Sequence, residues 1–369
     1  MKVVLVLGTS TGGIGQHVRS LAAGLVAAGD DVVVAGPAST QQAFAFDRVG
    51  ARFAAVEVGV SPRPRRDLAA ARRLRELTRG SDVVHAHGLR AGFLAVLART
   101  PDRPGLVVTW HNAVLGGGPR RWLLVGLERV VARGADVTLG ASADLVARAR
   151  ALGAADARLG AVAAPPLPPA TRDRDAVRAD LFARAGVDDP RTAVLLAVGR
   201  LAPQKDYPTL LAALGRHWPA GTARPLLVVA GEGPLRDGLE RDIRARELPV
   251  LLLGQRSDVP DLLGAADVYV LSSRWEARAL VVQEAARAGV AVVATDVGGV
   301  PDLVAGVALL VPAGDPAALA RALADLVDDP ARRAELAARA RERAASWPDE
   351  GATTRQVRAV YGRLRPTSG

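Results

Sequence analysis

Short runs of β-branched and leucine residues alternate along the chain with longer stretches whose apolar positions recur at helical spacing. Strands are expected at "KVVLVLG", "DVVVAGP", "DVVHAHG", "LVVTWHN" and "DVTLGAS", and after an interruption at "AVLLAVGR", "PLLVVAGEG", "PVLLLGQ", "DVYVLSS", "AVVATDVGG" and "VALLVPAG". Between them "GQHVRSLAAGLVAAG", "LLAALGRHW" and "PAALARALADLVDD" read as helices. Strands apolar along their whole length are covered on both faces, and their exchange with helices predicts parallel sheets of α/β type. The interruption "AVAAPPLPPATRDRD" places Pro165, Pro166, Pro168 and Pro169 before a charged restart. Proline at that density continues neither helix nor strand, so it reads as a linker between domains. The expected organisation is a doubly wound domain over 1–165, a proline-rich linker over 166–174 and a second doubly wound domain over 175–345. A terminal segment, 346–369, follows, in which "EGATTRQVRAVYGRLRP" after Pro348 predicts an amphipathic helix. Such sheets bind ligands at the carboxyl ends of their strands, so two of them predict a cleft between domains.

Composition narrows the chemistry. A chain of 369 residues exceeds one ordinary core, and 49% apolar residues make it globular. Without cysteine there are neither disulfides nor thiolate metal ligands. The histidines, His17, His85, His87, His111 and His217, include no His-x3-His pair, and His85-Ala-His87 alone is a weak metal signal that a strand end explains equally well. No apolar run reaches the roughly eighteen residues of a membrane span, and "MKVVLVLGTSTGG" reads as a first strand and glycine loop instead of a signal peptide. A cytoplasmic location is the expectation. The formal charge of +10 suits an anionic partner, yet aromatic residues are only 4% and do not interleave with the cations, so no nucleic acid is expected. The segment "GPRRWLLVGLERVVARG" sets Arg120, Arg121 and Trp122 before an apolar helix. That pattern fits peripheral contact with an anionic membrane, or an ordinary half-buried helix.

Two loops carry the sharper signals. Nearly every basic residue is arginine, with lysine only at Lys2 and Lys205. An internal lysine in such a chain marks a position that wants a compact ammonium. Lys205 shares the turn "VGRLAPQKDYPTLLAAL" with Arg200, between a strand and a helix, where periodicity and capping explain neither cation. A diphosphate explains both. The first turn, "GTSTGGIGQHV", lacks the full dinucleotide fingerprint because Val18 stands where a third glycine is needed, and no acid ends the second strand. Its glycines and the following helix could still receive phosphate, or form a tight structural turn. In "SSRWEARALVVQEAARAG", Glu276 and Glu284 stand eight positions apart, a helical rise of about 12 Å, too far to flank one glycosidic bond. They suit two ends of one long ligand, with the helix amides of Ala279, Leu280 and Val281 between them and Gly289 as the helix stop. A nucleotide-sugar has that layout of sugar, diphosphate and ribose.

Taken in order, "GGIGQHV", "DVVHAHG", "VVTWHN", "VGRLAPQK", "VVAGEGPLRDGLE", "LLGQRSDVPDLLGAADVYVLSS" and "WEARALVVQEAARAGVAVVATDVGGVPDLV" resemble the retaining group 1, family-4-like glycosyltransferases of bacteria across essentially the whole chain. The resemblance implies two Rossmann-like domains in the GT-B arrangement with a central interdomain cleft. It implies that Arg200 and Lys205 bind the donor diphosphate, Glu276 the donor sugar and Glu284 the ribose. His111 would sit beside the sugar, Gly12 and Gly13 would close on the phosphates, and Gly254 and Arg256 would lie near the base. The last helix would cross back onto the first domain, as Trp347 and Tyr361 suggest. No metal or other cofactor is implied, because cations and amides neutralise the leaving diphosphate. The implied reaction moves a sugar, with retention, from a UDP- or GDP-sugar to a hydroxyl of a lipid-linked, saccharide or small-metabolite acceptor.

The chain departs from the family pattern at Ala277 and Ala279, where glycine and proline are usual, at Gly15, where an acid is frequent, and before the linker, where an Asn-Gly segment is missing. These departures bear on donor preference. A nucleotide-sugar epimerase or hydrolase of the same fold, and a catalytically silent donor-binding subunit, are the alternative readings.

Overall fold

The computed structural model describes residues 1–10, 12–59, 61–100, 104–114, 118–160, 162–216 and 224–364. His217 and the end of the predicted "LLAALGRHW" helix lie outside them. The chain divides into two compact units, Met1–Pro165 with Pro348–Gly369, and Pro166–Trp347.

The first unit holds seven strands: β1 (Lys2–Leu7), β2 (Asp31–Gly36), β3 (Arg52–Ala55), β4 (Val83–His87), β5 (Gly105–Trp110), β6 (Val137–Gly140) and β7 (Ala157–Leu159). They form one sheet in the order β3-β2-β1-β4-β5-β6-β7, parallel throughout. The second unit repeats the scheme with β8 (Val194–Val198), β9 (Leu226–Ala230), β10 (Val250–Gly254), β11 (Val268–Leu271), β12 (Ala291–Thr295) and β13 (Leu309–Val311), in the order β10-β9-β8-β11-β12-β13. In each sheet the winding reverses once, between β1 and β4 and between β8 and β11. Doubly wound sheets bind ligands at that reversal, where loops from adjacent strands part in opposite directions.

The apolar strands are covered on both faces. Leu196, Val228 and Val292 pack into one core of the second unit, while their neighbours Leu195, Leu227 and Val293 pack into another. The edge strands β3 and β7 were not evident in the sequence: "RFAA" and "ARL" are short, partly exposed and poor in β-branched residues. The expected strand "VALLVPAG" forms only at Leu309–Val311.

After Pro348 the helix Glu350–Leu364 packs on the first unit, against the helix Gly13–Ala27. Gly24 lets it approach, since a Cβ there would lie 2.2 Å from Thr354 Oγ1. Arg358 Nε pairs with the buried Asp30 at 2.9 Å, and the buried Tyr361 joins the core beside Leu5 and Leu21. Trp347, by contrast, packs against the core of the second unit and takes no part in that return. The proline-rich stretch is assigned from Pro166 onward to the second unit, and its Thr171 amide donates to Asp261 at 2.6 Å. Among the described residues no helix is long and apolar enough to cross a membrane. On the helix Pro119–Gly134, Trp122 is 74% and Leu123 57% exposed, whereas the Arg120 side chain lies outside the described structure.

Candidate active site

The second unit builds its site from the loops after β8 and β11, the two strands at its reversal. The β8 loop runs from Gly199 to Asp206 and includes the short turn Pro203–Lys205. Backbone crowding requires glycine beside this loop: at Gly231 (φ 155), just past β9, a Cβ would sit 1.9 Å from the Gly199 carbonyl oxygen. The Tyr207 hydroxyl donates to that same carbonyl at 3.0 Å, fixing the strand end from below. Arg200 projects from this loop and is exposed, and its guanidinium has no partner among the described residues.

The β11 loop is stitched to the β8 loop before either meets a ligand. Arg274 N donates to Gln204 O at 2.8 Å, Gln204 Nε2 to Trp275 O at 2.9 Å, and Ser272 Oγ to Lys205 O at 2.8 Å. Lys205 Nζ and Ser273 Oγ each donate to Glu276 Oε1 at 2.7 Å. Both donors converge on one oxygen, so Oε2 makes no hydrogen bond among the described residues. Two residues assigned by resemblance to neighbouring parts of a ligand, diphosphate and sugar, are thus in direct contact. The carboxylate supplies the partner for Lys205 that sequence periodicity could not.

Ala279 precedes the helix Leu280–Ala288, whose amino end carries neither a capping side chain nor an acid in its first turn. Its first amides therefore remain for an anion. Gly289 ends the helix in the left-handed region at φ 71, as expected of a glycine stop. Ala277 and Ala279 are buried and neither has positive φ, so alanine sits at both without backbone strain. Glu284, one turn along, is half-buried without a hydrogen-bond partner among the described residues, and burial raises its pKa against the opposing pull of Arg287. Gly254 closes β10 with φ 77, where its carbonyl accepts from Gly231 N at 2.7 Å. Arg256 is already committed to Asp258, Nε to Oδ1 at 2.8 Å, a partner the sequence did not suggest.

Sequence reasoning missed Ser273, Gln204 and Arg278. Arg278 stands between Glu276 and the helix with its Nε buried and without a hydrogen-bond partner, and burial lowers its pKa. The sequence carried no signal for it, because arginine is the common basic residue throughout the chain.

In the first unit, Gly12 and Gly13 open the helix Gly13–Ala27, and both are exposed. Gly15 has a packing cause: a Cβ there would fall 2.1 Å from the Phe44 ring, which leaves no room for the acid frequent at this position in the family. His111 follows β5 and is buried, as are His17, His85 and His87. His85 Nδ1 lies 2.7 Å from the Tyr361 hydroxyl and its Nε2 2.6 Å from Thr109 Oγ1, while His87 Nδ1 and His111 Nε2 are 3.2 Å apart. Ligand nitrogens of His17, His87 and His111 lie within 4.8 Å of one another, so among the described residues this trio is a set that could hold a metal. The His87–His111 hydrogen bond also satisfies those two nitrogens without one. The short-spacing test for histidine ligands could not find the trio, because it is assembled from a helix, a strand end and a loop.

Burial lowers the pKa of His17 to about 4 and of His85 to about 3, and pushes His87 and His111 well below 6.5. The unfolded chain therefore binds protons from about pH 6.5 downward while the folded cluster stays neutral. Stability from the cluster is full above about pH 6.5 and is lost as pH falls toward about 3 to 4, by up to about 1.4 kcal/mol per pH unit for each histidine. Urea unfolding between pH 7 and 5 should show a falling midpoint, and His17→Asn a shallower fall. Equal slopes for the two proteins would contradict this account.

Residues 181–344 match the family of glycosyl transferases group 1, and residues 12–165 match the glycosyl transferase 4-like domain. The chain belongs to the group 1 glycosyltransferases. It is 34% identical over 316 residues to a D-inositol 3-phosphate glycosyltransferase of Salinispora tropica, a match covering 76% of this chain and 64% of that relative. It is 30% identical over 385 residues to a glycogen synthase of Mycobacterium tuberculosis, covering 94% and 90%. Among solved structures, Anabaena HepE in complex with UDP-glucose superposes with a TM-score of 0.80 at 19% identity, over 98% of this chain and all of that one, 100%. WaaG, a glycosyltransferase involved in lipopolysaccharide biosynthesis, gives 0.70 at 17% identity with 100% of both chains covered. At such identities the likeness is one of fold, and the fold is the two-domain GT-B type that the resemblance implied.

Proposed function

We propose that this glycosyltransferase transfers a sugar from a UDP- or GDP-linked donor to a hydroxyl acceptor, with retention at the anomeric carbon and without a metal. The observation that carries the reading is the Lys205–Glu276 pair at 2.7 Å, set at the sheet reversal beside an uncapped helix terminus. An ammonium and free amides gather where a diphosphate needs them, and a carboxylate with one open oxygen stands where a sugar hydroxyl needs an acceptor. HepE, one of the structural neighbours, was solved with UDP and with UDP-glucose, which favours the same donor class here.

In this reading the sugar's C1–O bond to the diphosphate breaks while the acceptor oxygen approaches from the same face. The departing phosphate oxygen takes the acceptor proton, so no separate base is required. Lys205, Arg200 and the amides of Ala279, Leu280 and Val281 hold the growing negative charge in preorganised positions. Glu276 orients the sugar, Glu284 takes the ribose hydroxyls, and Gly254 and Arg256 lie by the base. For Gly12, Gly13 and His111 the roles given by family resemblance form part of the same proposal.

The test is thermal stabilisation by UDP, GDP, ADP and dTDP and their common sugars, for the native chain and for Glu284→Ala. One base should stabilise selectively, and Glu284→Ala should weaken that effect about tenfold or more in ligand concentration, the loss of one charged hydrogen-bond acceptor. Absence of a shift with every nucleotide would remove the donor reading. Incubation with the selected nucleotide-sugar and chelator, without acceptor, separates transfer from hydrolysis or epimerisation by its products.

A further inference from the structure

The first unit holds three buried histidines whose hydrogen bonding is incomplete. His17, His87 and His111 are 6%, 2% and 8% exposed. Between them the three rings make one hydrogen bond among the described residues, between His87 Nδ1 and His111 Nε2 at 3.2 Å. His87 Nε2 is buried and unpartnered, and neither ring nitrogen of His17 has a hydrogen-bond partner among the described residues. Their neighbour His85 differs, because the Tyr361 hydroxyl and Thr109 Oγ1 engage both of its nitrogens. A buried polar nitrogen without a partner forfeits its hydration and gains nothing in return. A cation ligated by the three rings removes that deficit.

The strand order β1-β4-β5 assembles the trio. His87 ends β4, His111 follows the neighbouring β5, and His17 comes from the helix after β1. One ligand nitrogen from each lies within 4.8 Å of the other two. In a tetrahedral zinc site, with Zn–N bonds of about 2.0 to 2.1 Å, ligand nitrogens stand about 3.3 Å apart. His87 Nδ1 and His111 Nε2 are already near that separation, and the His17 ring meets both rings edge-on, with centroids 5.5 and 5.3 Å away. Closing from 4.8 Å to the zinc separation is a shift of about 1.5 Å, within reach of a side-chain adjustment. His85 packs on His87 with ring centroids 4.2 Å apart, which holds that ring in place. Gly8, Thr9, Ser10, Ile14 and His87 bound a cavity of about 160 Å³, room for a hydrated ion to approach.

We propose that His17, His87 and His111 bind a divalent cation of the zinc class, and that the bound ion shuts off sugar transfer. Imidazole ligands suit zinc, copper and nickel, whereas magnesium and calcium take oxygen. The ring that carries the proton of the His87–His111 hydrogen bond moves it to its other nitrogen, so both rings ligate as neutral imidazoles and no proton is released. Three protein ligands leave the fourth tetrahedral position to water. Occupancy ties up His111, which family resemblance places beside the donor sugar, and the metal-free chain is the active form. Cation binding stands on the geometry of the trio alone, and only the shut-off rests on the transferase reading.

The test uses the full chain, freed of metal by chelator and dialysis. Calorimetric titration with Zn²⁺ should give one ion per chain and titration with Mg²⁺ no binding, while Co²⁺ should develop the strong visible absorption of tetrahedral coordination. His17→Gln should weaken zinc binding at least about tenfold, through loss of one of three ligands. His217→Ala, at the one histidine of the second unit, should bind zinc as the native chain does. Saturating Zn²⁺ should lower sugar transfer at least about tenfold, with recovery on adding chelator, and His17→Gln should need at least about tenfold more zinc for the same fractional loss of its own rate. The Co²⁺ spectrum is read on the native chain and does not depend on the folding of a variant. Absence of zinc binding, a native Co²⁺ spectrum without tetrahedral bands, or a zinc affinity unchanged in His17→Gln overturns the site. Zinc bound at the trio with transfer undiminished overturns the shut-off. Nucleotide stabilisation measured in the presence of chelator decides the transferase reading separately.

Discussion

Lys205→Ala is expected to lower kcat/KM for sugar transfer by at least about a hundredfold, near 2.7 kcal/mol of transition-state stabilisation. Two effects add. The departing diphosphate loses the ammonium that meets its charge, and Glu276 loses the cation bonded to Oε1 at 2.7 Å, keeping only Ser273 Oγ. A carboxylate so enclosed without its cation is held by one donor instead of two and stops presenting a fixed acceptor to the sugar. Lys205→Arg should recover little, because a planar guanidinium fork does not reproduce the compact ammonium that donates to Glu276 Oε1 at 2.7 Å. Steady-state kinetics with the donor selected by thermal shift decides the matter, with circular dichroism to confirm folding. Turnover within a few-fold of the native enzyme would remove Lys205 from the chemistry.

Gly298→Ala should destabilise the second unit by at least about 3 kcal/mol, a fall in Tm of roughly 6 to 12 °C. Gly298 has φ 53, and a Cβ there would lie 2.0 Å from the Glu276 carbonyl oxygen, which itself accepts from Gly299 N at 2.9 Å. The added carbon would also lie 2.9 Å from Nε1 of the buried Trp275 ring, so relief requires the loop that carries Trp275 and Glu276 to move. Gly306→Ala is the internal control: its φ of 78 exacts the same left-handed penalty, of about 1 to 2 kcal/mol, but nothing lies within 4 Å of the added carbon. If calorimetry gave equal losses for the two variants, the close approach to Glu276 would not be what requires glycine. The surviving fraction of Gly298→Ala should also transfer sugar poorly, since the displaced backbone carries the carboxylate with it.

Residues whose role follows from local chemistry were legible in the sequence, and residues whose role follows from assembly were not. Central strands such as β1 and β12 announce themselves because burial on both faces demands unbroken apolar runs. Edge strands β3 and β7 escape that demand. Lys205 stood out against a background of arginine, and Glu276 with Glu284 as the acids of an apolar and basic stretch, so each could be singled out from the sequence. Their contact could not, because it depends on two loops that only the order β8-β11 makes adjacent. Ser273 and Gln204 look like ordinary polar loop residues until the carbonyls and carboxylate they bind are in place.

The return of the helix Glu350–Leu364 to the first unit has a consequence for synthesis. The second unit is continuous, Pro166–Trp347, so all of its contacts become possible as soon as that stretch has left the ribosome. The first unit is begun first and completed last. Until residues 354, 358 and 361 emerge, Asp30 lacks Arg358, His85 lacks the Tyr361 hydroxyl, and the face of the helix Gly13–Ala27 around Gly24 stays uncovered. The nascent chain must therefore carry an incomplete amino-terminal half throughout the making of its neighbour, and a chaperone or a slow translation pause late in the message would act on that half.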